Sequence, residues 1–425
     1  MIFEHAGKTD VGRVRARNED NLAMIPELGL FVVADGMGGH KGGEHASRFA
    51  CLVMEDAVRG AHAVVDGFVR EPTPARRREV LHMLDEAVRS ANERIVVESE
   101  LHSDLAGMGT TLVALLLAGD HAFVAYVGDS RLYLVRGSTV SLVTDDHSLF
   151  FELIRQGRIG RTAGAKFPYK NVVTRALCMQ GGVVPDVFDF EILPGDRLLL
   201  CTDGMHMYLE DHQILGLAST GPTRQVVDAL VAYALASGGA DNVTGIVVDV
   251  RGIDGTPEDV AERLKVVASF PILQGLSMTE RIRLVSACEH RLYHDGAILF
   301  TEGENSDGLY GVLSGHVEVR RAGRSVASFG AGRHFGEMSM VEERPRLVTG
   351  IARGEVGILV LSRYTFANLL KHQPSLSAKL LRNLVLILSQ RLRSTNDELV
   401  ILRTNYEEQR LEIPALLPSD MLEEE

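Results

Sequence analysis

Short apolar runs bounded by turn residues alternate with longer helical patterns over the first 250 residues. The short runs are rich in β-branched and aromatic residues, which favours strands, and they cover residues 29–35, 111–118, 121–127, 131–136, 197–202 and 244–250. Helical periodicity covers residues 43–60, 75–99 and 223–237. Several predicted strands are joined by turns of two to four residues, and such tight turns connect antiparallel neighbours. The pattern therefore predicts an α+β domain of antiparallel sheets flanked by helices.

The pattern changes after residue 252. A helix is predicted next, because Pro257 suits its first position and Thr256 can cap it. The second half then opens with helical segments at 258–268 and 278–288 and continues with short strands punctuated by glycine, which is typical of a β jelly roll with helices. We expect four parts: a first domain over 1–252, a connecting helix at 253–269, a second domain over 270–400 that ends in a helix from about 363, and a partly disordered acidic tail at 401–425.

Composition and charge narrow the function classes. The chain has 425 residues, of which 45% are hydrophobic and 24% charged, as in ordinary globular proteins. Its 44 Lys and Arg residues against 57 Asp and Glu residues give a formal net charge of −13, which argues against a nucleic-acid partner or an anionic membrane. No apolar stretch approaches the roughly 20 residues of a membrane span.

Four cysteines lie far apart, without a CxxC pair, so neither a zinc site nor a disulfide framework is predicted. The first ten residues, MIFEHAGKTD, lack the basic and apolar regions of a signal peptide. Both observations favour a reducing compartment, and we expect a cytoplasmic protein.

Acidic residues of the first domain stand where predicted strands begin or end. Asp35 and Asp203 each directly follow an apolar strand, Asp241 shortly precedes one, and Glu19 and Asp20 are adjacent in RVRARNEDN. A single Asp-Gly pair is typical of a turn. Carboxylates gathered in one place, however, repel unless protons or cations neutralise them. Ligands that are all oxygen suit Mg²⁺ or Mn²⁺ better than zinc.

Seven stretches resemble, in order, the motifs of the protein phosphatase 2C (PPM) family of metal-dependent serine/threonine phosphatases. They are Arg15 with Asn18-Glu19-Asp20, then 34–40 (ADGMGGH), 107–111 (GMGTT), 128–131 (GDSR), 174–177 (TRAL), 202–204 (TDG) and 241–244 (DNVT). Each stretch alone is weak evidence for the family, but seven stretches in the family's order across the first domain are a specific match. The resemblance implies the family's antiparallel β-sandwich flanked by helices and an active enzyme that hydrolyses phosphoserine and phosphothreonine in proteins with a metal-activated water.

The resemblance also implies the metal sites, which would hold two or three Mn²⁺ or Mg²⁺ ions. The residues that match the metal ligands are Asp35, Asp203 and Asp241 for one ion, Asp35 with the carbonyl of Gly36 for a second, Glu19 and Asp20 as supporting acids, and Asp129 for a third, weaker site. Arg15 matches the residue that grips the substrate phosphate, and His40 matches the general acid that protonates the departing oxygen.

A basic segment, residues 153–175, contains six Arg and Lys residues and no acid. In the family a flap lies here, beside the metal site. The segment can attract phosphorylated or acidic protein segments. Alternatively, its charges balance the neighbouring carboxylates.

Residues 270–395 resemble the cyclic-nucleotide-binding domain of catabolite activator proteins and kinase regulatory subunits. The similar stretches are 295–304, 309–319, 335–339 (FGEMS) and 344–346 (RPR). The resemblance implies a pocket formed by Gly336, Glu337, Met338, Ser339 and Arg346. In it, Arg346 would neutralise the cyclic phosphate and Glu337 would accept a hydrogen bond from the ribose.

The residue after Arg346 departs from that family, since Leu347 stands where a small residue is usual. Leu347 can crowd the pocket, and it lacks the hydroxyl that favours guanine in some members, so we expect cAMP rather than cGMP. The alternative is a barrel that keeps the fold and binds no nucleotide.

These expectations combine into a protein phosphatase that a C-terminal cyclic-nucleotide sensor regulates. Its partners would be phosphorylated proteins, namely Ser/Thr kinases or their substrates. Two alternatives remain: an active phosphatase whose barrel is a ligand-free docking module, and a non-catalytic, nucleotide-responsive scaffold that binds phosphoproteins. The leucines of the C-terminal helix that fall near heptad positions, Leu384, Leu388, Leu392 and Leu399, indicate either a homodimer helix or packing onto its own barrel.

Overall fold

The structure is a computed structural model that describes residues 1–38, 42–156, 158–159, 172–178, 182–253 and 257–412. The strands of the first half are β1 (Ile2–Asp10), β2 (Asp20–Ile25), β3 (Leu30–Met37), β4 (Gly109–Thr110), β5 (Leu112–Ala118), β6 (His121–Val127), β7 (Arg131–Arg136), β8 (Thr139–Leu142), β9 (Asp186–Glu191), β10 (Arg197–Cys201) and β11 (Val243–Gly252). Its helices are α1 (Gly42–Gly60), α2 (His62–Arg70), α3 (Pro74–Leu101), α4 (Leu149–Arg155), α5 (Asp203–His206), α6 (Asp211–Ala218) and α7 (Thr223–Ala236).

Two antiparallel sheets pack face to face in the first half. One has the order β1-β11-β10-β7-β8, and the other has the order β2-β3-β5-β6-β9, with β4 paired to β3. One core lies between the two sheets, a second lies under α1 and α3, and a third lies under α6 and α7. Because helices cover the outer faces, β5 is buried on both sides along its whole length, which explains its uninterrupted apolar sequence.

The second half contains α8 (Pro257–Ser269), α9 (Met278–Ser286), β12 (Glu289–Tyr293), β13 (Ile298–Phe300), β14 (Gly308–Arg321), β15 (Arg324–Gly330), β16 (His334–Phe335), β17 (Thr349–Ser362), α10 (Arg363–His372) and α11 (Pro374–Glu412). Its six strands form one antiparallel sheet around the long β14–β17 pair. One core lies inside this curved sheet, and another lies between the sheet and helices α9, α10 and α11.

The single helix predicted from about 363 to 400 is two helices in the structure. Helix α10 ends at His372 and α11 begins at Pro374, because proline lacks an N–H and disfavours helical backbone in the residue before it. Helix α11 runs to Glu412, so the first twelve residues of the tail expected at 401–425 are helical. The rest of that tail and Thr256, the predicted cap, lie outside the described residues.

Helix α9 packs against the first half. Ile282 is 6% exposed and belongs to the core between the two sheets, and Met278 packs against that core. On α8, Arg263 donates hydrogen bonds to Asp120 (2.9 Å) and Glu191 (3.0 Å) at the edge of the β9 sheet. Both contacts tie the beginning of the second half to the sandwich.

The predicted α+β class is confirmed in both halves. Every strand predicted from the apolar runs is present, and so are the three helices predicted in the first half. None of the helices in the described ranges is both long enough and apolar enough to cross a membrane.

Candidate active site

Strands β2 and β3 bring two of the predicted acids together. In their antiparallel register Asp20 lies directly opposite Asp35, which places both at the same end of the sheet. The backbone around Asp35 is held by a threonine, since Thr111 Oγ1 accepts from Asp35 N (3.1 Å) and Thr111 N donates to Asp35 O (2.9 Å). A Cβ on Gly36 would lie 2.1 Å from Gly43 O, so only glycine allows α1 to approach the end of β3 this closely.

The loops that carry Asp203 and Asp241 also meet through a glycine. A Cβ on Gly204 would lie 2.0 Å from Asn242 O and 3.3 Å from Asp241 Cβ. Asn242 then links this loop to the segment before β2, because its side-chain oxygen accepts from Glu19 N (2.8 Å) and its amide donates to Arg17 O (2.8 Å). The ends of four strands, two from each sheet, thus converge on one carboxylate cluster.

Asp20 is the buried support of this cluster. Its Oδ2 accepts hydrogen bonds from Thr244 (2.6 Å) and Thr202 (2.9 Å), whereas its Oδ1 is buried without a partner. Burial, together with repulsion from Asp203 and Asp241, raises the pKa of Asp20 to about 7 despite the two hydroxyl donors. An acid that holds its proton this tightly lies in a site short of positive charge.

Asp35 and Asp203 also lie among the negative charges of neighbouring carboxyl groups. Burial first, and then the charges of Asp20, Asp203 and Asp129, raise the pKa of Asp35 well above its usual range. Burial and repulsion from Asp241 also raise the pKa of Asp203. The two carboxyl groups share a hydrogen bond, while Asp203 Oδ1 is buried and has no hydrogen-bond partner.

Two further predicted residues border the cluster. Arg15 Nη2 lies 2.7 Å from Asp241 Oδ2, and 53% of the Arg15 side chain is exposed. The hydrogen bond to Asp241 and its charge raise the pKa of Arg15. Glu19 lies beside the first turn of α1, where a Cβ on Gly43 would be 2.8 Å from Glu19 Oε2. Burial raises the pKa of Glu19.

Asp129 approaches the cluster from the β6–β7 turn. It is 7% exposed, and burial followed by the charge of Asp203 raises its pKa to about 7. Its carbonyl accepts a hydrogen bond from His206 Nε2 (2.9 Å). Gly128 before it has φ +108° and packs on Thr111, where a Cβ would lie 2.6 Å away.

The structure therefore brings together Asp20, Asp35, Asp129, Asp203 and Asp241. Within the described ranges, however, no three His, Cys, Asp or Glu side chains surround a point that could hold a metal ion as they stand. The hydrogen bonds explain this arrangement, since Asp241 faces Arg15 while Asp35 and Asp203 face each other. His40 lies outside the described residues, as do Arg161, Lys166 and Lys170 of the basic segment.

The supporting residues Thr111, Thr202, Asn242 and Thr244 were not assigned a role from the sequence. Each of them is buried, and each lies inside one of the seven motif stretches. Their position in the motifs is the signal that could have identified them.

The nucleotide pocket predicted in the second half is a cavity of about 370 Å³ whose lining includes Gly336–Ser339 and Arg346. The Arg346 guanidinium lies over the rings of Phe300 (4.3 Å) and Tyr310 (4.9 Å) and donates to Asp307 Oδ1 (2.6 Å). Its Nε is buried without a partner. Leu347 lines the same cavity and is 62% exposed.

Glu337, the second anchor of this pocket, is 1% exposed. Its Oε1 lies 2.7 Å from Arg391 Nη1 of α11, while its Oε2 is buried and unpartnered. Burial raises the pKa of Glu337. Both anchors therefore keep one buried polar atom without a partner.

Comparison with known proteins identifies both halves. A family profile described as "Protein phosphatase 2C" matches residues 13–239, more than half of the chain. The chain belongs to the protein phosphatase 2C family. A second profile, "Cyclic nucleotide-binding domain", matches residues 290–373 of this phosphatase. Both resemblances predicted from the motifs are confirmed, and so is the enzyme class, a serine/threonine phosphatase of the protein phosphatase 2C type.

Individual relatives agree with this assignment. The phosphatase is 36% identical to the serine/threonine phosphatase stp of Listeria monocytogenes over 246 residues, which are 57% of this chain and 94% of that protein. It is similar in structure to the Mycobacterium tuberculosis serine/threonine phosphatase PstP/Ppp (34% identity, TM-score 0.53), covering 59% of this chain and 100% of that one. A structure of the PstP catalytic domain in complex with two manganese ions covers 59% of this chain and 99% of that one (34% identity, TM-score 0.51).

Proposed function

We propose that this phosphatase uses Mn²⁺ or Mg²⁺ to hydrolyse phosphoserine and phosphothreonine in proteins, and that its second domain binds a cyclic nucleotide that regulates the reaction. The observation that carries the first part is the buried, unpartnered oxygen of Asp203 beside Asp35 and Asp241. A phosphoprotein-binding scaffold without activity would not require three acids so close together, two of which, Asp35 and Asp203, have a raised pKa.

The donor set fits divalent cations. All candidate ligands are oxygens, which Mg²⁺ and Mn²⁺ prefer. Asp35, Asp203 and Asp241 would hold one ion, Asp35 and the Gly36 carbonyl a second, and Asp129 a third, with Glu19 and Asp20 in support. When bound, such ions lower the pKa of water and supply a nucleophile near neutral pH. The complex of the related PstP catalytic domain with two manganese ions supports manganese as the cation.

Arg15 and His40 would act on the substrate. Arg15 is half-exposed beside the cluster, and its Nη2 pairs with Asp241. The exposed part of its guanidinium can form parallel hydrogen bonds with phosphate oxygens. A cation at Asp241 would compete with that pairing and free Arg15 for the phosphate. His40 would give a proton to the seryl or threonyl oxygen, which is a poor leaving group without one.

The second domain has a pocket suited to a cyclic nucleotide. Arg346 Nε and Glu337 Oε2 are buried polar atoms without partners on its wall. A cyclic phosphate would complete the hydrogen bonding of Arg346, and a ribose hydroxyl would complete that of Glu337. We take cAMP as the ligand, because Leu347 offers no hydroxyl to a guanine.

Helix α11 is proposed to pair with a second copy of the chain. Leu384 is buried in the core of its own domain. Further along α11, large side chains at heptad spacing are each more than half exposed: Leu392, Leu399, Leu402 and Tyr406.

Charges beside this stripe are complementary as well. In a parallel pair Glu398 of one helix would face Arg403 of the other. The first half of α11 thus covers its own barrel, and the second half is available to a partner.

The proposal is tested with a phosphoserine peptide and full-length protein. We expect hydrolysis with Mn²⁺ that EDTA abolishes, and a rate that changes with cAMP up to saturation. Phosphopeptide binding without hydrolysis at any Mn²⁺ concentration would indicate the scaffold instead. Metal-dependent hydrolysis that stays constant across cAMP concentrations, with no heat of cAMP binding in calorimetry, would indicate a docking barrel.

A further inference from the structure

Arg283 on α9 reaches out of the second half into a polar cluster of the sandwich. Its Nη1 lies 2.5 Å from Asp145 Oδ2, and its Nη2 donates to the Tyr126 hydroxyl at 3.0 Å. Only 12% of the Arg283 side chain is exposed. Although burial opposes it, the neighbouring Tyr126, Asp145 and Asp186 raise the pKa of Arg283, so the guanidinium is a buried cation.

The acids of this cluster depend on that cation. Tyr126 donates to Asp186 Oδ2 at 2.9 Å, and Asp186 is also 3.4 Å from Arg175. Although burial would raise it, the hydrogen bond from His147 and then the charges of Arg175 and Arg283 lower the pKa of Asp186. Asp145 therefore pairs directly with the cation that α9 supplies, and Asp186 is linked to it through the Tyr126 hydroxyl. Removing one partner of a buried ion pair leaves an uncompensated charge.

His147 connects this cluster to the active site. Its Nε2 lies 3.2 Å from Asp186 Oδ2, and its Nδ1 lies 3.1 Å from Gly128 N. Because the Gly128 N–H can only donate, Nδ1 is the acceptor and Nε2–H donates to Asp186. The backbone N–H of His147 also donates to Gly128 O at 2.9 Å. His147 thus binds both the N–H and the carbonyl of Gly128, the residue directly before Asp129.

The same histidine holds the end of the basic segment. Thr174 N donates to His147 O at 2.7 Å, and the Thr174 hydroxyl donates to Glu152 at 2.6 Å. Next to it, Ser148 forms a β-bridge with Val173. The ion pair of Arg175 with Asp186 brings this segment back to the cluster that Arg283 enters.

We infer that Arg283 is a positioning residue for the phosphatase reaction: through Asp186 and His147 it fixes the Gly128–Asp129 turn and the end of the basic segment at Thr174. The inference rests on the proposed role of Asp129 at the metal site. It makes the second half of the chain a structural part of the active site, acting from a residue that touches neither substrate nor metal. The ion pair also gives a nucleotide-driven shift of α9 a direct route to that site.

The test compares Arg283→Met, which removes the charge at similar length, with Arg283→Lys, which keeps it. Ser286→Ala is the matched control, because it removes another hydrogen bond from α9 to the sandwich, that of Ser286 Oγ to Asp189 O, without touching the cluster. The readouts are amide hydrogen exchange of residues 126–131 and 172–178, and the Mn²⁺ concentration for half-maximal hydrolysis of a phosphopeptide.

For Arg283→Met we expect faster exchange in both segments and about a tenfold higher Mn²⁺ requirement, as for residues that support metal ligands. Arg283→Lys should keep most of the wild-type behaviour, and Ser286→Ala all of it. Adding Asp145→Asn to Arg283→Met should raise the exchange rates and the Mn²⁺ requirement little further, because the two residues act as a pair. This comparison of single and double variants is valid even if Arg283→Met lowers the melting temperature.

The inference is wrong if exchange in the two segments is the same in Arg283→Met as in Ser286→Ala. It is also wrong if exchange rises while the Mn²⁺ requirement stays at the wild-type value. Failure of the proposed function looks different, since the wild-type protein itself would then show no Mn²⁺-dependent hydrolysis while the exchange experiment would still report on Arg283.

Discussion

Arg391 of α11 forms an ion pair with Glu337, joining the last helix of the chain to the wall of the nucleotide pocket at 2.7 Å. Arg391 also donates to His334 O at 2.9 Å and lies over the ring of Phe329. The pair leaves Glu337 Oε2 available. The helix proposed to form the dimer therefore also orients the acid proposed to bind the ribose.

Replacing Arg391 should weaken nucleotide binding. Burial raises the pKa of Glu337 and the charge of Arg391 lowers it, so Arg391→Ala favours a protonated Glu337 that accepts hydrogen bonds poorly. We expect about a tenfold weaker cAMP affinity, or roughly 1.4 kcal/mol, measured by calorimetry. Arg393→Ala, an exposed change on the same helix, is the control. Equal affinity of Arg391→Ala and wild type would contradict the orienting role.

Asp203→Asn should remove most phosphatase activity while the fold stays intact. The change keeps the volume but removes one charged ligand, so metal affinity falls. We expect a loss at least as large as the roughly 10- to 100-fold cost of changing residues that only support ligands, measured as kcat/KM at limiting Mn²⁺. Asp211→Asn, at an exposed position of α6, should retain full activity. Unchanged activity and metal content in Asp203→Asn would place the metal site elsewhere.

Metal binding should depend on pH through Asp20 and Asp129, whose pKa is raised to about 7 in both cases. In the metal-free folded protein these acids bind protons more tightly than in the unfolded chain, where the pKa of an aspartate is about 4. Their stabilising contribution is therefore full below pH 4 and is lost as the pH rises through 7.

Because Mn²⁺ must replace these protons, the increase in melting temperature caused by Mn²⁺ should be larger at pH 8 than at pH 6. Thermal unfolding with EDTA and with Mn²⁺ at the two pH values measures it. A larger Mn²⁺ effect at pH 6 would show that the two acids are already ionised without metal.

His40→Ala should slow hydrolysis of a phosphoserine peptide far more than that of para-nitrophenyl phosphate. The alkyl oxygen needs a proton when it departs, and para-nitrophenolate hardly does. Steady-state kcat on the two substrates is the measurement, with His62→Ala on α2 as control. A similar loss on both substrates would assign His40 a role other than general acid.

Leu399→Arg should weaken self-association, because it places a charge in the proposed seam between two α11 helices. Val400→Arg is a close control, since Val400 is 63% exposed and Leu399 55%, but Val400 lies outside the seam. Light scattering after size-exclusion chromatography gives the mass of each variant. A monomeric wild type, or two variants with the same mass, would contradict dimerisation through this helix.

The sequence predicted the carboxylate cluster well because strand ends with short, glycine-containing motifs carry it. Asp35, Asp203 and Asp241 each lie at or near the end of a strand, and a glycine directly follows Asp35 and Asp203 in the sequence. The reason for those two glycines is visible only in the structure, where Gly36 packs on Gly43 O and Gly204 packs on Asn242 O. The threonines that hold Asp20 lie inside the same motifs. Local sequence therefore contains both the clustered acids and their immediate supports.

Contacts between distant parts of the chain could not be predicted in this way. Arg283 and the Tyr126 hydroxyl it contacts are 157 residues apart, and no local pattern distinguishes this arginine from an exposed one on an amphipathic helix. The heptad leucines show the same limit. All four fit one stripe, and only the packing shows that Leu384 is covered by its own domain while Leu399 is exposed.

The docking of α9 has a consequence for where this protein can be divided. A fragment that stopped at Gly252 would leave an open apolar slot where Ile282 enters the sandwich core, and Asp145 would lose its cation. A fragment extended through Ser286 would keep both. A truncated form of this chain should therefore be more stable when it ends after α9 than when it ends at Gly252, and the boundary of the second domain does not coincide with the boundary of the sandwich core.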